Sequence, residues 1–115
     1  NIQINYSVEE FYKNNEEIKI KGYIFATSLT RGKERFLIFA NYGSNKKRLI
    51  NLKKREDVKV YWKLKDKNTN YGFEEFLPLN IKGDLLESIE VVSRNSSEKI
   101  WVKNKIYNKR WQKLP

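Results

Sequence analysis

The chain reads as short runs in which apolar and polar positions alternate, the period-two pattern of strands with one buried face. Ile2, Ile4, Tyr6 and Val8 fall on one side, with Gln3, Asn5 and Ser7 on the other. After an Asn14-Asn15 break, Ile18, Ile20, Ile24 and Ala26 share a face while Lys19 and Lys21 point to solvent. Thr30-Arg31-Gly32-Lys33 marks a turn, and 35–42 is apolar enough to predict a strand covered on both faces. Gly43-Ser44-Asn45 turns the chain into a basic strand over 46–54. Residues 57–62 fit either a short strand or a helical turn. Beyond the polar stretch 66–70, the runs 71–79, 86–92 and 99–107 continue the pattern, separated by Lys82-Gly83-Asp84 and Asn95-Ser96-Ser97. Pro78 puts the first of these three at an edge or an exit.

About seven short strands, with turn signals roughly every 8–12 residues, predict an all-β fold. The expected architecture is a single antiparallel β-sandwich, Ig-like or jelly-roll-like, forming one domain over residues 1–115. Gly22 and Gly72 interrupt strand patterns, where glycine marks a bulge or a close backbone approach.

Composition removes whole classes of chemistry. The 115 residues include no Cys and no His. That excludes thiol nucleophiles, disulfides, Cys/His zinc sites and a histidine general base. No cofactor and no metal is expected. The adjacent carboxylates Glu9-Glu10, Glu16-Glu17 and Glu74-Glu75 should point to opposite faces of a strand, so none is expected to form a catalytic dyad. The glycines stand too far apart to cradle a phosphate. Asp57, which opens a corner after Arg55, is expected to cap a short turn by accepting backbone N–H bonds. Asn1 is not an initiator Met, and no signal-peptide pattern follows it, so a piece of a longer chain is expected.

Charge changes the picture most. The net charge is +10, and residues 31–67 alone carry thirteen basic against four acidic groups. Residues 99–115 add six basic groups and no acid. Such asymmetry favours a polyanion or an anionic membrane surface. The candidate phosphate-binding residues are Arg31, Lys33 and Arg35 on one turn, with Lys46, Lys47, Arg48, Lys53, Lys54 and Arg55 flanking the basic strand. If the two strands pair as a hairpin, these groups converge near one edge. The competing reading is a solubilising, edge-protecting lysine face. Trp101 and Trp111 are candidate stacking surfaces, whereas Trp62 is expected to be buried packing.

Several of these residues also resemble a known family. Ile20-Lys21-Gly22-Tyr23-Ile24-Phe25, then Arg55-Glu56-Asp57-Val58, then Tyr71-Gly72-Phe73 leading to Leu77-Pro78-Leu79 resemble a β-sandwich accessory domain of Gram-positive cell-wall polymer enzymes. Those enzymes are the teichoic-acid-type CDP-glycerol glycerophosphotransferases and related polysaccharide glycosyltransferases. The likeness spans roughly 16–105 and departs at Gly83-Asp84-Leu85-Leu86. It implies a non-catalytic module with structural roles for Gly22, Asp57, Gly72 and Phe73, and a catalytic domain elsewhere in the parent chain. The implied partners are an acidic cell-wall polymer, that catalytic domain, or a second copy of the module. The implied setting is cytoplasmic, peripheral to the membrane through the parent protein. From a different class, basic strands with interleaved aromatics also fit a nucleic-acid-binding barrel of the oligonucleotide-binding type.

Overall fold

A computed structural model describes residues 2–28, 34–43, 46–65, 69–95 and 100–111, with the side chains of 2–4, 26–28, 34–36, 93–95 and 100–104 outside the description. Among these residues eight strands form two antiparallel sheets: β1 (Ile2–Lys13), β2 (Glu17–Ser28), β3 (Glu34–Tyr42), β4 (Lys46–Ile50), β5 (Gly72–Pro78), β6 (Asn80–Ile81), β7 (Asp84–Asn95) and β8 (Ile100–Asn108). Among the described residues one helix, α1 (Glu56–Trp62), stands between β4 and β5, and a 3-10 turn (Lys109–Trp111) follows β8. The first sheet runs β1-β2-β5. The second runs β4-β3-β7, with β6 pairing the first two residues of β7 and β8 pairing its later part. This is the expected all-β, sandwich-like fold.

The alternation explains the core. Ile18, Ile20, Ile24, Phe73 and Leu77 from the first sheet meet Ile38, Ala40, Tyr42, Ile50, Ile89 and Val91 from the second, all buried. The Tyr42 hydroxyl donates to the Pro78 carbonyl across the two sheets at 2.7 Å, so the one polar atom of that ring is satisfied where it is buried. At the β1–β2 hairpin, the Asn14 side-chain oxygen accepts from the backbone N–H groups of Glu16 and Glu17, replacing ladder partners that the turn removes.

Two expectations change, and one left open is decided. The outer face of β3 is open, with Leu37 and Phe39 uncovered or half-buried, because no described element lies over that side of the second sheet. Residues 57–62 are helical, part of α1. Glu56 and Asp57 occupy its first turn, where the helix dipole favours acids, and Val58 is buried beneath it. Its end is a Schellman closure. Lys63 is left-handed, the Lys63 N–H donates to Val60, and the Leu64 N–H donates to Lys59. Trp62 is 46% exposed rather than buried, since α1 is short and lies on the surface.

The helix covers one end of the first sheet's outer face. Phe25, Val58 and Tyr71 form a small second core there, flanked by Tyr23 and Leu64. Among the described residues no helix is long and apolar enough to cross a membrane.

Candidate functional site

Where α1 overhangs the first sheet, two adjoining depressions share Tyr23 and Trp62. The larger, about 420 Å³, is lined by Glu9, Tyr23, Arg55, Asp57, Val58, Tyr61 and Trp62. The smaller, about 240 Å³, adds Asn5 and Tyr6. Tyr61, 77% exposed, stands edge-on to Trp62 with ring centroids 5.3 Å apart. Trp62 in turn leans on Phe25 at 5.4 Å, which holds the indole against the second core while the residue stays partly exposed.

Arg55 organises the polar side of this cleft. Gly72 and Tyr23 are cross-strand partners on the outer face. Because Gly72 has no side chain, the aliphatic stem of Arg55 lies directly on the sheet there. A Cβ at Gly72 would be driven into Arg55 Cγ and within 3.2 Å of the Lys53 carbonyl oxygen. The backbones of Lys53 and Gly72 hold that approach with two reciprocal hydrogen bonds, 2.7 and 2.8 Å. The guanidinium then passes over the Tyr23 ring at 5.8 Å and ends on Glu9 of β1. One side chain thus crosses all three strands.

Glu9 reaches this position through a bulge. The β1–β2 register slips between Val8 and Glu10, so Glu9 and Glu10 both serve the outer face, Glu9 toward Arg55 and Glu10 toward Lys19 and Lys21. The expectation that these neighbours point to opposite faces is therefore wrong. Gly22, opposite Val8, makes the bend feasible: a Cβ there would strike the Ser7 carbonyl oxygen and come within 2.7 Å of the buried Phe73 ring.

The guanidinium is bidentate twice. Arg55 Nε and Nη2 donate to the two Asp57 oxygens at 2.9 and 2.8 Å, and Nη1 and Nη2 donate to those of Glu9 at 2.7 and 3.2 Å. Four of its five N–H donors are occupied. The hydrogen bond from Arg55 holds the Asp57 carboxyl down at about 2 and is the largest cause of the lowered pKa of Glu9. The same bonds, to Asp57 first and Glu9 second, raise the pKa of Arg55. Asp57 therefore engages a side chain from within the first helical turn, and α1 has no side-chain cap at Arg55.

The predicted basic cluster is divided. Strands β3 and β4 do pair as a hairpin, with β4 at the sheet edge. Lys47 turns to the outer face of the second sheet, over Phe39 and onto Glu90 at 3.4 Å. Lys46 binds Asp84 at 2.6 Å, and Arg48 reaches Glu75 of β5 at 3.6 Å. Lys54 lies 3.8 Å from Glu56, Lys53 is exposed, and Arg55 lies over the other sheet. Arg31 and Lys33 fall outside the described residues, as do the side chains of Arg35 and Trp101. Trp111 is exposed at the 3-10 turn, whose neighbour Lys109 is paired with Glu87 at 2.9 Å.

Tyr23, Glu9, Tyr61 and Trp62 were not singled out as ligand-binding from the sequence. The available signal was the Tyr61-Trp62 doublet beside Arg55-Glu56-Asp57, read there as packing and a corner. Among the described residues no three His, Cys, Asp or Glu side chains gather as a metal site. No protein-family model, curated protein or solved structure matches the chain.

Proposed function

We propose that this chain is a non-catalytic binding module that takes a polyhydroxylated polymer of the cell-wall type into the Tyr23–Trp62 cleft. In this reading it serves as an accessory domain of a polymer transferase and reaches the inner membrane face through its parent protein. The observation that carries the reading is the pairing of exposed aromatic side chains, Trp62 and Tyr61, with an Arg55–Glu9–Asp57 constellation in one cleft. Sugar rings present apolar C–H faces that stack on indole and phenol. Their hydroxyls both donate and accept, which suits fixed carboxylates with spare lone pairs.

The state of the acids supports binding over hydrolysis. Glycoside hydrolysis needs one carboxyl group kept protonated, with its pKa raised. In the cleft, Glu9 and Asp57 are both displaced downward by Arg55.

Trp62 makes the test direct. Titration with neutral oligosaccharides and with poly(glycerol phosphate) should change tryptophan fluorescence. Trp62→Ala should weaken binding by about tenfold or more, the scale of one lost stacking contact. Affinity equal to wild type in that variant, for every ligand that binds, would remove the cleft from the proposal.

A further inference from the structure

We propose that the ligand is an uncharged polyhydroxylated chain, laid along β2 from the Trp62 cleft to a second aromatic platform made by Tyr12 and Phe76. This rests on the cleft reading above and adds the ligand's class and length.

Lys19, Lys21 and Tyr23 share the outer face of β2, and the register sets Tyr12 and Phe76 on either side of Lys19. Both rings are large and apolar yet 56% and 55% exposed, on a face where nothing else in the described chain covers them. Two strand spacings, about 10 Å, separate their backbones, with Lys19 between and its ammonium 5.6 Å from the Phe76 ring. The two exposed rings flank Lys19 on this face. Four residues of β2, about 13 Å, separate this row from Tyr23, so a single sugar ring cannot touch both platforms.

The charge along this path selects the ligand. Lys19 is 3.1 Å from Glu10 and 3.8 Å from Glu74, Lys21 is 3.6 Å from Glu10, and Arg55 is shared by Glu9 and Asp57. Four carboxylates thus answer three cations. Each of these cations already has a carboxylate partner, so a polyanion gains little from them, whereas a neutral chain meets a row of fixed donors and acceptors.

Affinity for a chito-disaccharide and a chito-hexasaccharide, for poly(glycerol phosphate) and for oligothymidylate should be compared by fluorescence and calorimetry. The hexasaccharide is expected to bind about tenfold more tightly than the disaccharide, with little dependence on salt. The double variant Tyr12→Ala/Phe76→Ala should remove that gain and leave disaccharide affinity intact. Tyr12→Leu/Phe76→Leu, which keeps the apolar cover, should lose the gain as well. Equal affinity for both lengths, or a gain that survives both variants, would overturn the extended site while leaving the Trp62 cleft standing. Tighter, salt-sensitive binding of either polyanion would overturn the neutral class. A concentration-dependent dimer abolished by the leucine variant would assign the platform to a second copy instead. Hexasaccharide binding indifferent to Trp62→Ala would bring down the cleft reading as well.

Discussion

The β4 edge and the Trp62 cleft are both built around basic residues, and they use them in opposite ways. Along β4 the cations are consecutive in sequence, and the pleat disperses them: Lys47 to one face, Lys46 and Arg48 to the other, each onto its own acid. In the cleft one cation, Arg55, gathers groups from β1, β2 and α1 that lie far apart in the chain. A run of like charges along a strand is therefore not a patch in space. A site needs convergence, and here convergence comes from a glycine that lets a side chain lie flat, a bulge that turns an acid outward, and a helix that overhangs.

The sharpest way to break that comparison is to give Gly72 a side chain. Gly72→Val would force Arg55 off the sheet, where its stem now occupies the Cβ position. Crowding of this kind costs about 1–3 kcal/mol. Urea denaturation should show that loss, and the fluorescence response to saccharide should fall with it, because Glu9 and Asp57 lose their common partner. Wild-type stability and affinity in this variant would mean that Arg55 does not organise the cleft.

The second test uses acid. Glu9 and Asp57 have depressed pKa values in the folded chain, both chiefly through the hydrogen bond from Arg55. Their contribution to stability is complete above the ordinary values of 4.5 and 3.8, and it is lost as pH falls through the lowered values, which for Asp57 means about 2. Thermal melts of wild type and Arg55→Gln should therefore differ most at neutral pH and converge through that acid window. A difference independent of pH would assign the role of Arg55 to packing of its stem.

What was legible follows from the same physics. The alternation at Ile18, Ile20 and Ile24 exposed the inner face of β2 directly, because burial on one face writes a period of two. Gly22 and Gly72 showed as interruptions in that pattern, and both sit where another group approaches the backbone closely. The cleft was hidden for two reasons. A bulge leaves no mark in composition, so Glu9 and Glu10 read as a pair split by the pleat. The helix is seven residues long, too short for a hydrophobic period to separate it from a strand, and Trp62 read as buried packing. Net charge could not show how the basic segment is paired, since the acids from β5 and β7 that answer it lie 27 or more residues downstream of their partners.

The smallest effects are expected along β4, and their order sharpens the contrast. Lys47→Ala should cost about 1 kcal/mol, because Glu90 is largely buried and would lose its cation. Lys46→Ala should cost less, about 0–1 kcal/mol, as its own side chain is well exposed despite the 2.6 Å pair. Lys53→Ala, at an exposed side chain, should change stability by no more than about 0.5 kcal/mol. None of the three should alter saccharide affinity, since the described contacts of these side chains lie away from the cleft. If Lys53→Ala weakened ligand binding as much as Trp62→Ala, the edge and the cleft would belong to one polyanion surface. The distinction between dispersed and convergent charge would then carry no functional meaning.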